Sequence, residues 1–220
     1  MSERWAYARQ QWMTAFAPLK ARGFRLERLD QKTYFDRHER ELRAVFPPEV
    51  FFDPRGWLPE RRIAQLERLS ETRADQKLED FVAVYRGDKL AAMFCGHQHV
   101  DDAYRMWHAN VSPDFRRQGL YRQIVRSTID YTDKLGFRTI TSEHAPGNNA
   151  VLIAKLSCGF RITSMAIEPS VGLSVVLMYF HSSDELALYE HRTGLATLNN
   201  NITKTAFGAY AQLKSQIQDS

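Results

Sequence analysis

Apolar residues recur in two rhythms along the chain, and the change between them falls near residue 112. Before it, "FVAVYR" (81–86), "LAAMFCGHQHV" (90–100) and "AYRMWHANV" (103–111) read as three strands in quick succession. Gly87-Asp88 is a hairpin signal and Asp101-Asp102 gives a second tight turn, so this run is an antiparallel meander. After it, Leu120, Ile124, Tyr131 and Leu135 fall at helical spacing over 116–135. A strand over 137–143, a helix over 148–157 and strands over 160–168 and 173–180 follow. The last is almost continuously apolar, as expected of a central strand covered on both faces.

The N-terminal part is less regular. Residues 3–20 read as a helix, with Trp5, Trp12, Phe16 and Leu19 on a loose stripe. Residues 23–30 form a short strand at most, and Asp30 can cap a helix over 31–45. A Pro-rich loop covers 46–60. Pro59 suits the first turn of a helix over 59–71, with Ile63, Leu66 and Leu69 inward. A short helix is expected at 183–191. The tail 193–220 is polar, with 203–217 either an appended helix or loose. An antiparallel half followed by α-β-α-β-β predicts an α/β architecture, a mixed sheet with helices on its faces.

Composition narrows the function classes. Hydrophobic residues make up 44% and charged residues 25% of 220, which suits a globular domain with its own core. The net charge of +4 is mild and the 30 Lys/Arg are scattered, so a local anionic ligand explains it better than nucleic acid. Cys95 and Cys158 form no CxxC pair and are expected to be small buried hydrophobes. His97 and His99 share one face of a strand without a third ligand, so no metal is expected. The charged N-terminus lacks the apolar stretch of a signal peptide, and no run approaches the ~18 apolar residues of a membrane span. No membrane partner is expected, and the expected location is cytoplasmic.

The candidate chemistry lies in "VSPDFRRQGLYRQIV" (111–125), where a strand hands over to a helix. Amides at a helix N-terminus are unpaired, the helix dipole is positive there, and glycine admits a ligand close to the main chain. With Arg116 and Arg117 beside Gly119, this is a place for a phosphate or pyrophosphate.

The stretch resembles the acetyl-CoA loop of the GNAT family of N-acetyltransferases: Val111, Pro113, Arg116 and Gly119 fall at the family's positions. Downstream, "NNAVLIAKLSCGFRI" (148–162) resembles the family's second signature, an Asn followed later by Gly159-Phe160. The resemblance covers 80–181 well and 1–79 by element order. It implies the acyl-CoA N-acyltransferase fold, a mixed, mostly antiparallel sheet that splays between strands 103–111 and 137–143, flanked by helices. Residues 1–192 would then be one domain, with 1–79 on the acceptor side, 80–181 as the acetyl-CoA-binding core, and 193–220 as an extension.

The resemblance further implies a co-substrate, acetyl-CoA, and an acceptor that is a small-molecule or peptide amine. Main chain near Ala109 and Val111 would pair with the pantetheine arm. Amides of Arg117, Gln118, Gly119, Leu120 and Tyr121 would hold the pyrophosphate beside Arg116. Asn148 would contact the arm, with Asn149 as the fallback. Family members are often homodimers, and the chain shows no decisive interface.

Three positions depart from the family pattern. Tyr121 stands where a second small residue is usual and reads best as a core aromatic. Lys155 replaces a tyrosine that can protonate the leaving thiolate. It is either a solvent-facing helix lysine or, if desolvation lowers its pKa, an acid for that thiolate. Arg105 and Trp107 stand where a base often sits, and neither accepts a proton at neutral pH. His108 has the wrong parity unless a bulge turns it. Glu143 and His144, at the end of the next strand, are the remaining candidate bases. The expectation is therefore acetyl transfer to an amine by direct attack; the alternative is a non-catalytic acyl-CoA-binding regulatory module.

Overall fold

Two helices stand in place of the single one expected over 3–20. α1 (Glu3–Ala15) and α2 (Ala17–Ala21) part at Phe16, because Pro18 in the first turn of α2 has no amide hydrogen to continue the ladder. β1 (Arg25–Arg28) follows, then α3 (Gln31–Glu41). Asp30 caps α3 as expected: Oδ1 accepts the Thr33 amide at 2.8 Å and Oδ2 accepts the Thr33 hydroxyl at 2.6 Å. Those bonds hold its carboxyl below the usual range. This is a computed structural model; it describes residues 3–41, 59–61, 64, 78–100, 102–168 and 172–195, with the side chains of 3–5, 100 and 168 left out. Trp5, most of the 46–60 loop, the inward residues of the 59–71 helix (Ile63, Leu66, Leu69) and the 203–217 segment therefore lie outside the described residues.

The meander appears as β2 (Glu79–Arg86), β3 (Lys89–Val100) and β4 (Ala103–Val111). A single 3-10 turn at Pro113–Phe115 follows, so the next helix, α4 (Leu120–Lys134), begins at 120 and not at 116. It returns the chain so that β5 (Thr139–His144) lies parallel to β4. α5 (Asn149–Leu156), β6 (Arg161–Glu168) and β7 (Gly172–Phe180) complete a seven-stranded sheet in the order β1-β2-β3-β4-β5-β7-β6. β7 lies inside the sheet, as its apolar run predicts. Apart from β4–β5, the pairs with a described register are antiparallel.

Two compact units are distinguished, Met1–Tyr179 and Phe180–Ser220. In the second, α6 (Ser183–Arg192) is capped by Ser182, whose Oγ accepts the Glu185 amide at 3.3 Å. Tyr189 of this helix packs on Phe180 at 5.2 Å.

In the first unit the main core lies on one face of the sheet, beneath α1, α2 and α4. Trp12, Phe16 and Leu19 are all buried there; Phe16 stacks on Trp12 at 4.9 Å and on Phe94 of β3 at 5.3 Å. A smaller cluster on the other face holds Tyr34 of α3 against Phe81, Tyr85, Met93 and Cys95. Cys95 is buried as expected, whereas Cys158 is half-buried.

β4 is irregular in two ways that matter later. It pairs with β5 from Ala103↔Thr139 to Arg105↔Thr141 and no further, so the two strands part beyond that point, the expected splay. It also bulges at Trp107: Cys95 opposes His108 while the next β3 residue, Gly96, opposes Met106. Tyr104 and Met106 face the main core before the bulge, and Ala109 and Val111 face it afterwards. His108 is thereby turned to the α3 face, the condition under which its parity no longer excludes it.

Gly96 makes room for this arrangement. A Cβ there would meet the Tyr104 ring at 2.5 Å and the Arg105 carbonyl oxygen at 2.7 Å. Tyr104 in turn donates its hydroxyl to buried Asp80 at 3.0 Å, and Arg28 pairs with Asp80 at 2.7 Å. Gly96→Ala should therefore act as overpacking against backbone and cost about 2–3 kcal/mol. Thermal melting by circular dichroism should show a midpoint lowered by roughly 5–10 °C; an unchanged midpoint would mean the tight contact is relieved cheaply.

Candidate active site

The strand-to-helix loop has a backbone suited to an anion. Arg116 is extended, Arg117 has φ 58° and Gly119 has φ 76°. Left-handed residues in such a turn can direct nearby amides toward one point. Gly119 is the N-cap of α4 and no side chain caps it. The Gln123 amide already reaches the Gly119 carbonyl at 3.0 Å, which leaves the preceding amides of the first turn without an intrahelical acceptor.

A left-handed arginine costs roughly 1–2 kcal/mol, so the loop must be braced. Three bonds do this. Arg116 Nε donates to the Val111 carbonyl at 3.0 Å, Gln118 Nε2 donates to the Asp114 carbonyl at 2.8 Å, and Arg22 Nη2 donates to the Gln118 carbonyl at 2.8 Å. Arg22 was not legible in the sequence: it is one arginine among 30 basic residues, distant along the chain from the loop it holds.

A groove of about 540 Å³ runs from this loop between β4, α4 and α5. Of the expected cofactor-contacting residues, Ala109, Val111, Arg116, Arg117, Gly119, Leu120, Tyr121 and Asn148 line it. Gln118 and Asn149 are not among the lining residues; Gln118 turns its side chain back to Asp114. Asn148 is the N-cap of α5, its Oδ1 accepting the Val151 amide at 3.4 Å. Tyr121 packs against the main core while also lining the groove, and burial raises the pKa of its hydroxyl. The residues fit acetyl-CoA on two counts: amides of the first helical turn suited to a diphosphate, and a groove leading from them along Ala109–Val111, a part of β4 that has no β5 partner.

Lys155 is not solvent-facing. It is 0% exposed, with Nζ 3.4 Å from Met106 Sδ and 4.6 Å from the centre of the Phe160 ring. A ring face and a thioether only partly replace water around an ammonium. Burial accordingly pulls its pKa down to about 7, against the opposing influence of Cys158. His144 lies on the same side. Burial, and then the charge of Lys155, push its pKa down to about 3, and it shares a hydrogen bond with the Ser142 hydroxyl. Such an imidazole stays neutral in the physiological range and is a weak base.

Glu143 points to the other face, where its carboxylate accepts Arg105 Nη2 at 2.8 Å. This ion pair crosses from β5 to β4 just where the two strands part. The structure thus brings Lys155 and His144 together and sets Glu143 apart from them. On the Glu143 side, the His97 ring lies 6.2 Å from His99 and 5.8 Å from Trp107. Among the described residues, no three metal-type side chains converge, and no helix is long and apolar enough to cross a membrane.

Comparison with known proteins agrees with this geometry. The model of the Acetyltransferase (GNAT) family matches residues 31–160. The ribosomal-protein-S18-alanine N-acetyltransferase from Escherichia coli aligns with a TM-score of 0.51 at 21% identity, covering 72% of this chain and 94% of that one. Spermidine N-acetyltransferase from Vibrio cholerae, solved in complex with CoA and spermine, aligns with a TM-score of 0.51 at 14% identity, over 72% of this chain and 95% of that one. Ard1 from Thermoplasma volcanium gives a TM-score of 0.51 at 11% identity, over 72% and 97%. No curated protein matches the chain in sequence. At these identities the solved structures establish a shared fold, and the family match, over more than half of the residues, establishes kinship: the chain belongs to the GNAT acetyltransferase family, which uses acetyl-CoA as co-substrate.

Proposed function

We propose that this protein is an N-acetyltransferase that moves the acetyl group of acetyl-CoA to an amine by direct attack. The observation that carries the reading is the braced loop at 116–119 opening onto a groove lined by Ala109–Val111, where β4 has no β5 partner. Acetyl-CoA supplies the thioester; the chain supplies position, donors and a proton. Amides of residues 117–121 hold the diphosphate. The β4 main chain beyond Arg105 has no β5 partner and can pair with the pantetheine arm like an added strand. Its donors near Ala109 can also polarise the thioester carbonyl.

Lys155, buried next in sequence to the groove-lining Ala154, is the group we assign to protonate the departing thiolate. A pKa of about 7 makes it a willing proton donor near neutrality. Glu143 faces the acceptor side and is the carboxylate placed to take the amine's proton through water. His144, held neutral, orients rather than carries a proton. The Arg105–Glu143 pair favours a second reading, because it occupies the nearest carboxylate. In that reading the chain binds acyl-CoA without turning it over.

Free-thiol release from acetyl-CoA across a panel of amines separates the two readings. Release with at least one amine is expected; tight CoA binding with no release for any acceptor would favour the binding module. Gly119→Glu should lower CoA affinity at least ~100-fold by calorimetry, because its carboxylate would meet the phosphate site; one ionic repulsion at short range is worth that much. A Cβ at 119 meets nothing within 4 Å, so packing is spared, and Gly119→Asn, which tolerates positive φ, controls for backbone strain. Unchanged affinity in Gly119→Glu would remove the diphosphate from this loop.

Lys155→Met has two expected outcomes. Turnover should fall, and the loss of activity as pH rises through about 7 should vanish from the kcat profile. Stability should change with a defined sign. Between about 7 and the ordinary 10.5, folding favours the neutral amine, so the wild type loses stability as pH falls through this window. The melting temperature of Lys155→Met should exceed that of the wild type at pH 7 and below, with the gap closing toward pH 10.5. A gap independent of pH would show that the lysine is charged in the folded state.

A further inference from the structure

The β6–β7 hairpin carries an apolar row farther than the core covers it. In the register of the two strands, Ile162 stands opposite Leu177, Met165 opposite Val175 and Ile167 opposite Leu173. Residues directly opposite in an antiparallel pair share a face, and Leu173, Val175 and Leu177 alternate along β7. All six therefore lie on one face of the sheet. It is the face of the main core, which holds Val175 and Leu177 as buried members. The other four are bare: Ile162 is 48%, Met165 61%, Ile167 84% and Leu173 48% exposed. The pattern of a core-facing hairpin thus continues past its covered part.

Size and charge say what fits there. The four residues leave about 400 Å² bare, comparable to the largest apolar patch of an ordinary monomer, about 300–600 Å², which is often an interaction site. With the polar rim of an ordinary interface, whose area is about 55–65% apolar, the contact grows to about 650 Å². A standard complex buries about 600–1,000 Å² on each partner, so the patch suffices for a dimer if the partner brings an equal one. A second copy of this chain does. Residues 162–167 read Ile-Thr-Ser-Met-Ala-Ile and residues 173–178 read Leu-Ser-Val-Val-Leu-Met, with no charged residue in either. Across a two-fold axis each residue near the axis meets its own copy, so a charge at the centre would meet a like charge. This centre has none. β6 is also the last strand in the sheet order, and between 162 and 167 it has neither the Lys nor the Pro by which edge strands commonly refuse a neighbour.

We propose that two copies of this chain meet face to face through this patch, with Met165 near a two-fold axis and Ile162, Ile167 and Leu173 around it. None of the four lines the groove, so each copy keeps its own site and the contact does not rest on the transfer reading. Contacts of about this size range from micromolar to far tighter, according to the anchors they contain. This patch is aliphatic, without the Trp, Tyr or Arg that usually anchor tight complexes, so its dimer belongs at the micromolar end.

Sedimentation equilibrium of the full-length chain from about 0.5 to about 200 μM brackets such a Kd. A monomer–dimer equilibrium is expected. Met165→Glu and Met165→Lys should each be monomeric over the whole range, because two like charges would face each other in an apolar contact. An equal mixture of the two variants should dimerise again, since opposite charges then meet at the axis. Circular dichroism spectra of both variants should match the wild type, because Met165 is largely exposed, and CoA affinity by calorimetry should be unchanged. Three results would each overturn the proposal: a wild type that is monomeric throughout, a Met165→Glu variant that dimerises like the wild type, or a mixture that stays monomeric. In the first case, hydrogen exchange at 163–167 tells a patch covered by another part of the chain, where the amides are slow, from one left bare.

Discussion

The proposed function depends on how briefly β4 and β5 stay together. They share pairs from Ala103↔Thr139 to Arg105↔Thr141 and then separate. A buried strand that loses its partner leaves backbone donors and acceptors unmet, a cost no fold carries without reason. Here the opening is kept by three things: Arg105 and Glu143 bridge it on one face, Lys155 with Met106 and Phe160 fills it on the other, and the braced loop stands at its mouth. The result is a gap of strand width with a charge-bearing wall on each side.

The bulge at Trp107 divides the work between those sides. One extra residue lets a single strand give Tyr104 and Met106 to the core, then Ala109 and Val111 to the same core beyond it. The intervening His108 and Asn110 are handed to α3. Without the bulge, the histidine would point into the apolar core and Ala109 would point away from it. The same irregularity explains why Gly96 stands opposite: the partner strand must give up a side chain where β4 crowds it.

How much of this could be read beforehand differs by element. The strands of the meander, β7's inner place, and the Asp30 cap follow from local rules of alternation and hydrogen bonding, and were legible. So was the place of the loop before α4, with a glycine at its left-handed N-cap. The break at Phe16 was signalled by Pro18 and read through. The start of α4 was placed too early, because charged residues at 116–118 suit a helix as well as a loop. Lys155 was ambiguous, since helical periodicity alone does not say whether a face meets water or a second layer. Bulges leave almost no local trace, so His38 and Asn110 could not be joined: their meeting depends on a one-residue shift far from α3 in sequence.

The segment before the family-matched stretch carries a consequence for what can be cut away. Phe16 covers Phe94, Trp12 backs Phe16, and Arg22 ties the carbonyl of Gln118. Trp12, Phe16 and Arg22 lie outside residues 31–160, as do β1, β6 and β7. A fragment trimmed to residues 31–160 would bare aromatic rings on one face of the sheet, expose both its flanks, and slacken the turn at 116–119 that Arg22 braces. The stretch that the family model spans is thus smaller than what the fold needs to stand.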